Sequence, residues 1–180
     1  MKIPLQLAPL ALYVWLLAPG AVSAAEGAGE LRTDAQHCAA AMLAAEASEG
    51  AIACMHPSLV KALGGADAAT EKIARQRKVM AEHGAVFDSV SIGMPGPTVA
   101  VGRREFALIP QTLKIKTKDG MLRQAGYLLA VRDRGAKAWT FLDATAATPT
   151  TLATLFPEIP ASEFAAKLKI PAREDPVLEN

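Results

Sequence analysis

Residues 137–156, KAWTFLDATAATPTTLATLF, constrain the fold more than any other stretch, because they contain a patterned strand and a marked helix start. Alternate residues from Trp139 to Asp143 fall on one face of an extended segment, as the two-residue period of a β-strand requires. Thr148 followed by Pro149 is typical of a helix N-cap and first helical position, since the hydroxyl accepts an amide hydrogen bond and the proline lacks an N–H. The stretch therefore predicts a strand that ends at Asp143, followed by a short helix.

The beginning of the chain has the organisation of a secretory signal peptide. Lys2 is followed by an apolar run and then by small residues that end at Val22, Ser23 and Ala24. Prolines interrupt the apolar run, and it is shorter than the roughly 20 residues that a membrane-spanning helix needs. We therefore predict a signal peptide over 1–24, no stable membrane span after its cleavage, and export to the periplasm or the outside of the cell.

Net charge limits the kinds of partner that this chain can bind. The formal net charge is only +1, so no broad electrostatic field would attract nucleic acid or an anionic membrane. A run of Lys and Arg side chains on the helix predicted over 67–84 has no interleaved aromatic residues and is typical of a solvated face. Small molecules and proteins are therefore the expected partners, and no nucleic acid is expected.

Capping patterns predict two further helices before this charged helix. The first is predicted over 33–48, with a Thr-Asp-Ala-Gln capping box at its start and Gly50 at its close. Residues 25–32 contain two glycines and are predicted to be a flexible lead. A short second helix is predicted after the turn at His56, because the following proline excludes His56 from the helical region of backbone conformation.

Cys38 and Cys54 are the two cysteines of the chain, and export would make them a disulfide candidate. About 18 Å of helix separates Cys38 from Gly50, and the next four residues cover about 13 Å when extended but only about 6 Å when helical. An extended 51–54 would therefore nearly align the two sulfur atoms, whereas a helical one would not. A disulfide and a pair of buried free thiols both remain open at this point.

From Val86 onward the apolar pattern changes from a helical to an extended period. Three strands are predicted before the strand described first, over 86–93, 106–117 and 121–133. A tight hairpin is predicted at Asp119 and Gly120, since this dipeptide suits a two-residue turn. Pro110 lies inside the second strand and cannot donate a ladder hydrogen bond, so we predict a β-bulge there.

Helices followed by antiparallel strands predict an α+β fold. We expect N-terminal helices packed on a strongly curved antiparallel sheet of about four strands, followed by an irregular, proline-rich tail over 158–180. Both faces of this sheet carry apolar residues, so the face that the helices leave open needs cover from the tail or from a second subunit. A homodimer, or a protein partner bound through the sheet, is therefore one expectation.

Five short motifs also carry a resemblance to known proteins. They are the His56-Pro57 turn, Gly64-Gly65 after a short helix, Ile109-Pro110-Gln111, Trp139-Thr140-Phe141-Leu142-Asp143, and Phe156-Pro157. In this order they resemble the nuclear transport factor 2-like, or cystatin-like, superfamily, and more narrowly an exported bacterial branch of it. The resemblance covers about 33–171 and implies one domain over 33–157, a cone-shaped pocket between sheet and helices, and frequent dimerisation through the sheet. It implies little about activity, since this fold serves dehydratases, isomerases, binding modules and subunits.

Strand pairing suggests that two polar residues, Tyr127 and Asp143, lie close together. If Asp133 lies opposite Lys137 as an opposite-charge pair, then Tyr127 lies opposite Asp143. A buried phenol and carboxylate in one cavity could transfer protons, as in the isomerase and dehydratase relatives, because burial raises the pKa of a carboxyl group. In the alternative, Asp143 accepts backbone amides at its strand end or is satisfied by the phenol, and both residues serve structure. We favour the structural alternative.

His56 is a third candidate, as a general base or a ligand, if its ring points into the same cavity. In the alternative it only closes a turn. The three histidines, His37, His56 and His83, have no metal-binding spacing, so no metal is predicted. The sequence also has no phosphate-binding loop, nucleophile elbow or dinucleotide motif, so no cofactor is expected.

The sequence thus predicts an exported protein that binds a small apolar ligand or a protein partner without catalysis. The expected ligand-binding residues are Tyr127, Trp139, Phe141 and Asp143. One alternative function is a small lyase or isomerase that uses Tyr127, Asp143 and His56. Another is an accessory subunit that docks through its sheet face.

Overall fold

The computed structural model describes residues 20–44 and 49–179. The helices are α1 (Gly20–Leu43), α2 (Glu49–Cys54), α3 (Pro57–Ala62), α4 (Ala66–Glu82), α5 (Pro149–Leu155) and α6 (Ala161–Lys167). The strands are β1 (Val86–Ile92), β2 (Val99–Val101), β3 (Arg104–Thr117), β4 (Gly120–Asp133), β5 (Thr140–Asp143) and β6 (Val177–Glu179). Within these residues, no helix combines the length and hydrophobicity that a membrane crossing requires.

All strand pairs of the sheet are antiparallel, and the four main strands follow the order β1-β3-β4-β5. The long hairpin of β3 and β4 forms the centre, and the sheet curls strongly into a half-barrel. Two short strands extend its edges, since β2 pairs with β3 and β6 pairs with β4. The predicted α+β fold, with N-terminal helices on a strongly curved antiparallel sheet of about four strands, is confirmed.

The β3–β4 hairpin turns at Lys118 and Asp119, with Thr117 paired to Gly120. Gly120 has a φ of +137°, which residues with a side chain rarely adopt. The tight hairpin therefore forms next to the predicted dipeptide, but its two turn residues are Lys118 and Asp119, one position earlier than Asp119 and Gly120.

Pro110 does not form the β-bulge predicted for it. The register between β3 and β4 is unbroken along the whole of both strands, and the register shift lies instead in β1, between Phe87 and Ser89. The proline faces the other edge of β3, between the part paired with β2 and the part paired with β1, so no ladder donor is needed there. Its carbonyl oxygen still accepts a hydrogen bond from the Gly93 amide at 2.8 Å.

The C-terminal part of the chain covers one face of the sheet, which we call the tail face. Its buried residues are Phe106, Leu129, Val131 and Leu142 from the sheet, and Leu152, Phe156, Ile159, Phe164 and Leu168 from the cover. The ring of Phe106 meets those of Phe156 and Phe164 edge-on, each at 5.5 Å between centroids. The tail over 158–180 and the preceding helix α5 therefore together cover the second face. The tail contains α6 and β6, so it is less irregular than predicted.

Helix α1 covers the opposite face, which we call the helix face. The buried residues at the helix face are Leu31, Ala35, Cys38 and Ala39 from α1, and Ile92, Ala107, Ile109, Leu128, Ala130 and Phe141 from the sheet. Strand residues alternate between the two faces. Burial of both faces therefore explains why apolar residues occupy consecutive positions in β3 and β4.

Helix α1 begins earlier than the sequence predicts. Thr33, the predicted cap, lies inside the helix, and its hydroxyl donates a hydrogen bond to the Gly29 carbonyl oxygen at 3.1 Å. Residues 25–32, predicted as a flexible lead, are helical because burial of Leu31 against the sheet offsets the helix cost of the glycines, about 1 kcal/mol each. Of the predicted signal peptide, residues 1–19 lie outside the described part of the chain, and the rest belongs to α1.

Cys38 and Cys54 form a disulfide, with their Cα atoms 5.6 Å apart. Helix α1 ends at Leu43, and Gly50, expected to close the first helix, lies inside the separate helix α2. The expectation that a helical 51–54 could not align the sulfur atoms is therefore wrong, because it assumed one uninterrupted first helix. The bond joins α1 to α2 beside the helix face.

The predicted cap of α5 is confirmed. The Thr148 hydroxyl accepts a hydrogen bond from the Thr151 amide at 3.2 Å, and the Thr151 hydroxyl accepts one from the Thr148 amide at 2.8 Å, with Pro149 as the first helical residue. The start of α4 differs from the prediction. Its N-cap is Gly65, at a φ of +99°, and Asp67 lies within the first turn, where a carboxylate favours the helix dipole.

Candidate ligand-binding cavity

A cavity of about 270 Å³ lies between the helix face of the sheet and helices α1, α2 and α4. Its apolar lining residues are Ala39, Met42 and Leu43 from α1, Ala51 from α2, Met55 directly after α2, Ile73 from α4, and Phe87, Val90, Leu113 and Leu128 from the sheet. The volume is close to the lower end of the range of about 300–1,000 Å³ found for small-molecule sites. Unbranched methionine side chains in the wall can adapt to the shape of a ligand.

The disulfide positions two walls of this cavity. Helical spacing brings Ala39, Met42 and Leu43 to one side of α1, and Cys38 immediately precedes them. The bond from Cys38 holds α2 against the same side, so that Ala51 reaches the cavity. The two helices are thus joined covalently where they form the wall.

Arg77 connects α4, the third of the helices that line the cavity, to the end of α1. Its guanidinium donates hydrogen bonds to the carbonyl oxygens of Met42 and Ala44. Carbonyl groups at a helix C-terminus lack partners within the helix and carry partial negative charge, so a guanidinium is well suited to them. Arg77 is therefore half-buried where α4 meets the end of α1, whereas the sequence predicts that the cations of this helix lie on a solvated face.

Among residues 20–44 and 49–179, the polar members of the lining are Gln76, Arg77, Gln111 and Asp143. Gln111 is half-buried, and its side-chain amide makes no hydrogen bond with the described residues. An amide has both donor and acceptor capacity. Gln111 can therefore offer a hydrogen bond to a ligand in this mainly apolar cavity.

Asp143 is held in place by the turn that follows β5. Its Oδ1 atom accepts hydrogen bonds from the amide of Thr145 at 2.8 Å and from its hydroxyl at 2.6 Å. The same hydroxyl accepts a hydrogen bond from the Tyr127 amide at 3.3 Å, and it fits against β4 because Gly126 has no β-carbon. The geometry is that of the structural alternative in which Asp143 accepts a backbone amide at its strand end. Its second oxygen, Oδ2, accepts no hydrogen bond from the described residues.

The predicted pairing of Tyr127 with Asp143 is wrong by one residue, because Leu128 lies opposite Asp143. A shift of one residue moves each side chain to the other face of a sheet. Tyr127 consequently packs at the tail face, while Asp143 lines the cavity on the helix face. The prediction assumed a charge pair within the β4–β5 connection, but Asp133 pairs instead with Arg104 across the β3–β4 hairpin, at 3.3 Å. The sheet thus separates the phenol from the carboxylate.

Trp139 and Phe141, also predicted as ligand contacts, lie outside the cavity lining. Phe141 is buried at the helix face, opposite Ala130. Trp139 packs at the edge of the same cluster, and the guanidinium carbon of Arg132 lies 4.3 Å from its ring centroid. Among the four predicted ligand-binding residues, all of which the structure describes, Asp143 is the one that lines the cavity.

His56 is buried at the turn before α3 and does not line the cavity. Its Nδ1 accepts a hydrogen bond from the Ser58 amide at 3.1 Å, and its own amide donates one to the Phe141 carbonyl oxygen at 2.9 Å. Burial, followed by the nearby Arg104 charge, lowers the pKa of His56 from 6.5 to about 4, so the ring is neutral at neutral pH. His56 therefore caps α3, as the turn-closing alternative describes.

Sequence reasoning missed most of the cavity lining. An unbroken hairpin register counted from Asp119 and Gly120 would have placed Gln111, Leu113 and Leu128 on one face, but the bulge assumed at Pro110 hid this signal. No local signal marks Arg77, because its role depends on the approach of α4 to α1. Within residues 20–44 and 49–179, no group of three or more His, Cys, Asp or Glu residues is placed to hold a metal ion.

Comparisons with known proteins gave no match: no family model, no curated protein and no solved structure is similar to this chain at a significant level. The cavity and its lining residues are therefore the features of this chain that bear on function.

Proposed function

We propose that this protein is an exported, non-catalytic binding protein that holds a small apolar ligand in the cavity between the helix face and helices α1, α2 and α4. The observation that carries the proposal is the cavity itself, about 270 Å³ in volume and lined mainly by aliphatic, methionine and aromatic side chains. An apolar ligand gains about 0.8 kcal/mol for each methylene group that it buries there. Binding of a short-chain compound follows from this lining without any charged contact.

The disulfide and the start of the chain support an exported location. Disulfides persist in oxidising compartments and are rare in reducing ones. The bond between Cys38 and Cys54 fits the signal peptide that the sequence predicts over 1–24. The resemblance to the nuclear transport factor 2-like superfamily is part of the same proposal, since a helix-covered, curled sheet with a cavity is what that resemblance implies.

The arrangement of ionisable groups favours binding over a lyase or isomerase. Tyr127 and Asp143 lie at opposite faces of the sheet, and His56 caps α3 away from the cavity. General acid–base catalysis needs its groups within hydrogen-bond reach of one substrate. Docking as an accessory subunit through the sheet is also less favoured, because the chain's own helices cover both faces.

The proposal is tested by titrating the purified protein with hexanol, octanol and decanol in a calorimeter. Wild-type protein should bind at one saturable site, with affinity rising by about fourfold for each added methylene until the cavity is full. Replacing Leu113, which lines the cavity, by the larger tryptophan should weaken octanol binding at least about tenfold, because the indole occupies the space.

Leu155→Trp is the matched control, since Leu155 is also half-buried but packs at the tail face. It should bind octanol as wild type does. Thermal unfolding of both variants establishes that they are folded. Absence of saturable binding of all three alcohols to wild type would refute the proposal, as would equal affinities of wild type and Leu113→Trp.

A further inference from the structure

We propose that Asp143 makes this cavity selective for ligands that carry a cationic or hydrogen-bond-donating end, such as an alkyl amine, over a carboxylate with the same chain. The inference rests on the proposed function and names the ligand class within it. Its structural basis is a carboxylate that is fixed in orientation, lines an apolar cavity and keeps one oxygen open.

Hydrogen bonds from Thr145 fix the orientation of the Asp143 carboxylate. Thr145 donates to Oδ1 through both its amide and its hydroxyl, and that hydroxyl is itself fixed by the Tyr127 amide and by the space at Gly126. A carboxylate has two oxygens and accepts up to about four hydrogen bonds. Because both Thr145 donors use Oδ1, the Oδ2 atom of Asp143 remains available to a donor on a ligand.

The second charged residue of the lining, Arg77, carries the opposite sign and has to be considered with Asp143. Its guanidinium donates to the carbonyl oxygens of Met42 and Ala44, where the partial negative charge of the α1 terminus offsets it. These contacts commit donors of Arg77 to the protein, whereas Asp143 has an open acceptor. The ligand end that gains most from this lining is therefore a donor, and an ammonium group gains a charge-assisted hydrogen bond.

The test compares octylamine, octanol and octanoate, three probes with equal chains, at neutral pH and below their micelle concentrations. Wild-type protein should bind octylamine about fivefold more tightly than octanol, and octanoate most weakly. The preference is modest because Asp143 is exposed to solvent, which screens its charge. Asp143→Asn keeps an acceptor for the Thr145 amide but removes the charge. It should therefore bind octylamine no more tightly than octanol.

Asp88→Asn is the matched control, because Asp88 is an exposed carboxylate on β1 that does not line the cavity. It removes the same charge and should retain the wild-type preference. Octanoate binding as tight as octylamine in wild type, or the same preference in Asp143→Asn, would overturn the inference while octanol binding still supports the proposed function. Failure of all three probes to bind would refute the proposed function and this inference together.

Discussion

The Thr145 hydroxyl occupies the space in which Gly126 would carry a β-carbon. A β-carbon at Gly126 would overlap that oxygen and lie 3.0 Å from the Thr145 methyl carbon. Gly126→Ala should therefore lower the free energy of unfolding by about 1–3 kcal/mol, because the overlap forces the β5 turn away from β4. Urea unfolding measures the change as a lower midpoint at unchanged slope.

Gly29→Ala is the control for this prediction and should raise the free energy of unfolding instead of lowering it. Gly29 lies within α1 and has no atom within 4 Å of its would-be β-carbon. Alanine there should raise the free energy of unfolding by up to about 1 kcal/mol, since it removes the helix cost of glycine. Equal stability of Gly126→Ala and wild type would contradict the steric argument.

Reduction of the Cys38–Cys54 disulfide should destabilise the protein and weaken ligand binding together. The bond spans a sequence separation of 16 residues, for which loop-closure entropy gives about 3 kcal/mol. Without it, α2 is no longer held where Ala51 lines the cavity. Thermal unfolding and octanol titration, each with and without dithiothreitol, measure both effects. In the double variant Cys38→Ala/Cys54→Ala, dithiothreitol should change neither the unfolding temperature nor the octanol affinity. If dithiothreitol also left both quantities unchanged in wild type, the disulfide assignment would be contradicted.

Burial of His56 should make stability depend on pH. Its pKa is lowered from 6.5 to about 4 in the folded protein, so between these values the unfolded chain binds the proton more readily. Stability should therefore fall as pH falls from about 6.5 to 4, by up to about 3 kcal/mol from this residue, and be unaffected by it at higher pH.

His56→Asn tests this, because asparagine keeps a capping acceptor for α3 but does not titrate. Its unfolding free energy, measured by urea at a series of pH values, should have a smaller slope in that window than wild type. His83→Asn, at an exposed position at the end of α4, is the control and should follow the wild-type profile. Parallel profiles for wild type and His56→Asn would contradict the assignment.

Phe164→Ala should be the most damaging single change in the tail. The ring is fully buried at the tail face, edge-on to Phe106 at 5.5 Å. Removing such a ring costs about 3–5 kcal/mol through lost burial and the cavity that remains. Ser162→Ala, at an exposed position on the same helix, should change the unfolding free energy by less than about 0.5 kcal/mol. Similar urea midpoints for the two variants would mean that the tail adds little cover.

Features that depend on local chemistry were predictable from the sequence. The Thr148 cap and the turn at Gly120 involve residues within a few positions of one another, so short motifs suffice to identify them. The early start of α1 was not predictable in this way. It depends on the burial of Leu31 against a sheet whose strands are distant from it in the sequence.

The candidate site was predictable only in part, and the reason is strand register. Asp143 was identified from its position at a strand end, but the connection from β4 to β5 contains no turn motif that fixes the pairing. The prediction paired Asp133 with Lys137, but Asp133 forms its ion pair with Arg104 across the β3–β4 hairpin. Gln111 was missed because a bulge was assumed at Pro110, although the hairpin register places it on the cavity face. Arg77 reaches the cavity only through the approach of α4 to α1, for which a single sequence contains no signal.

The tail face has a consequence for how the protein is made. Phe106 and its hairpin neighbours are synthesised well before Phe156 and Phe164, the rings that cover them. The β3–β4 hairpin can form as soon as its own residues are available, but its tail face stays open until Phe156 and Phe164 have also been synthesised. During that interval the nascent protein presents a hydrophobic sheet surface to chaperones and to other chains, and completion of the C-terminal segment closes it.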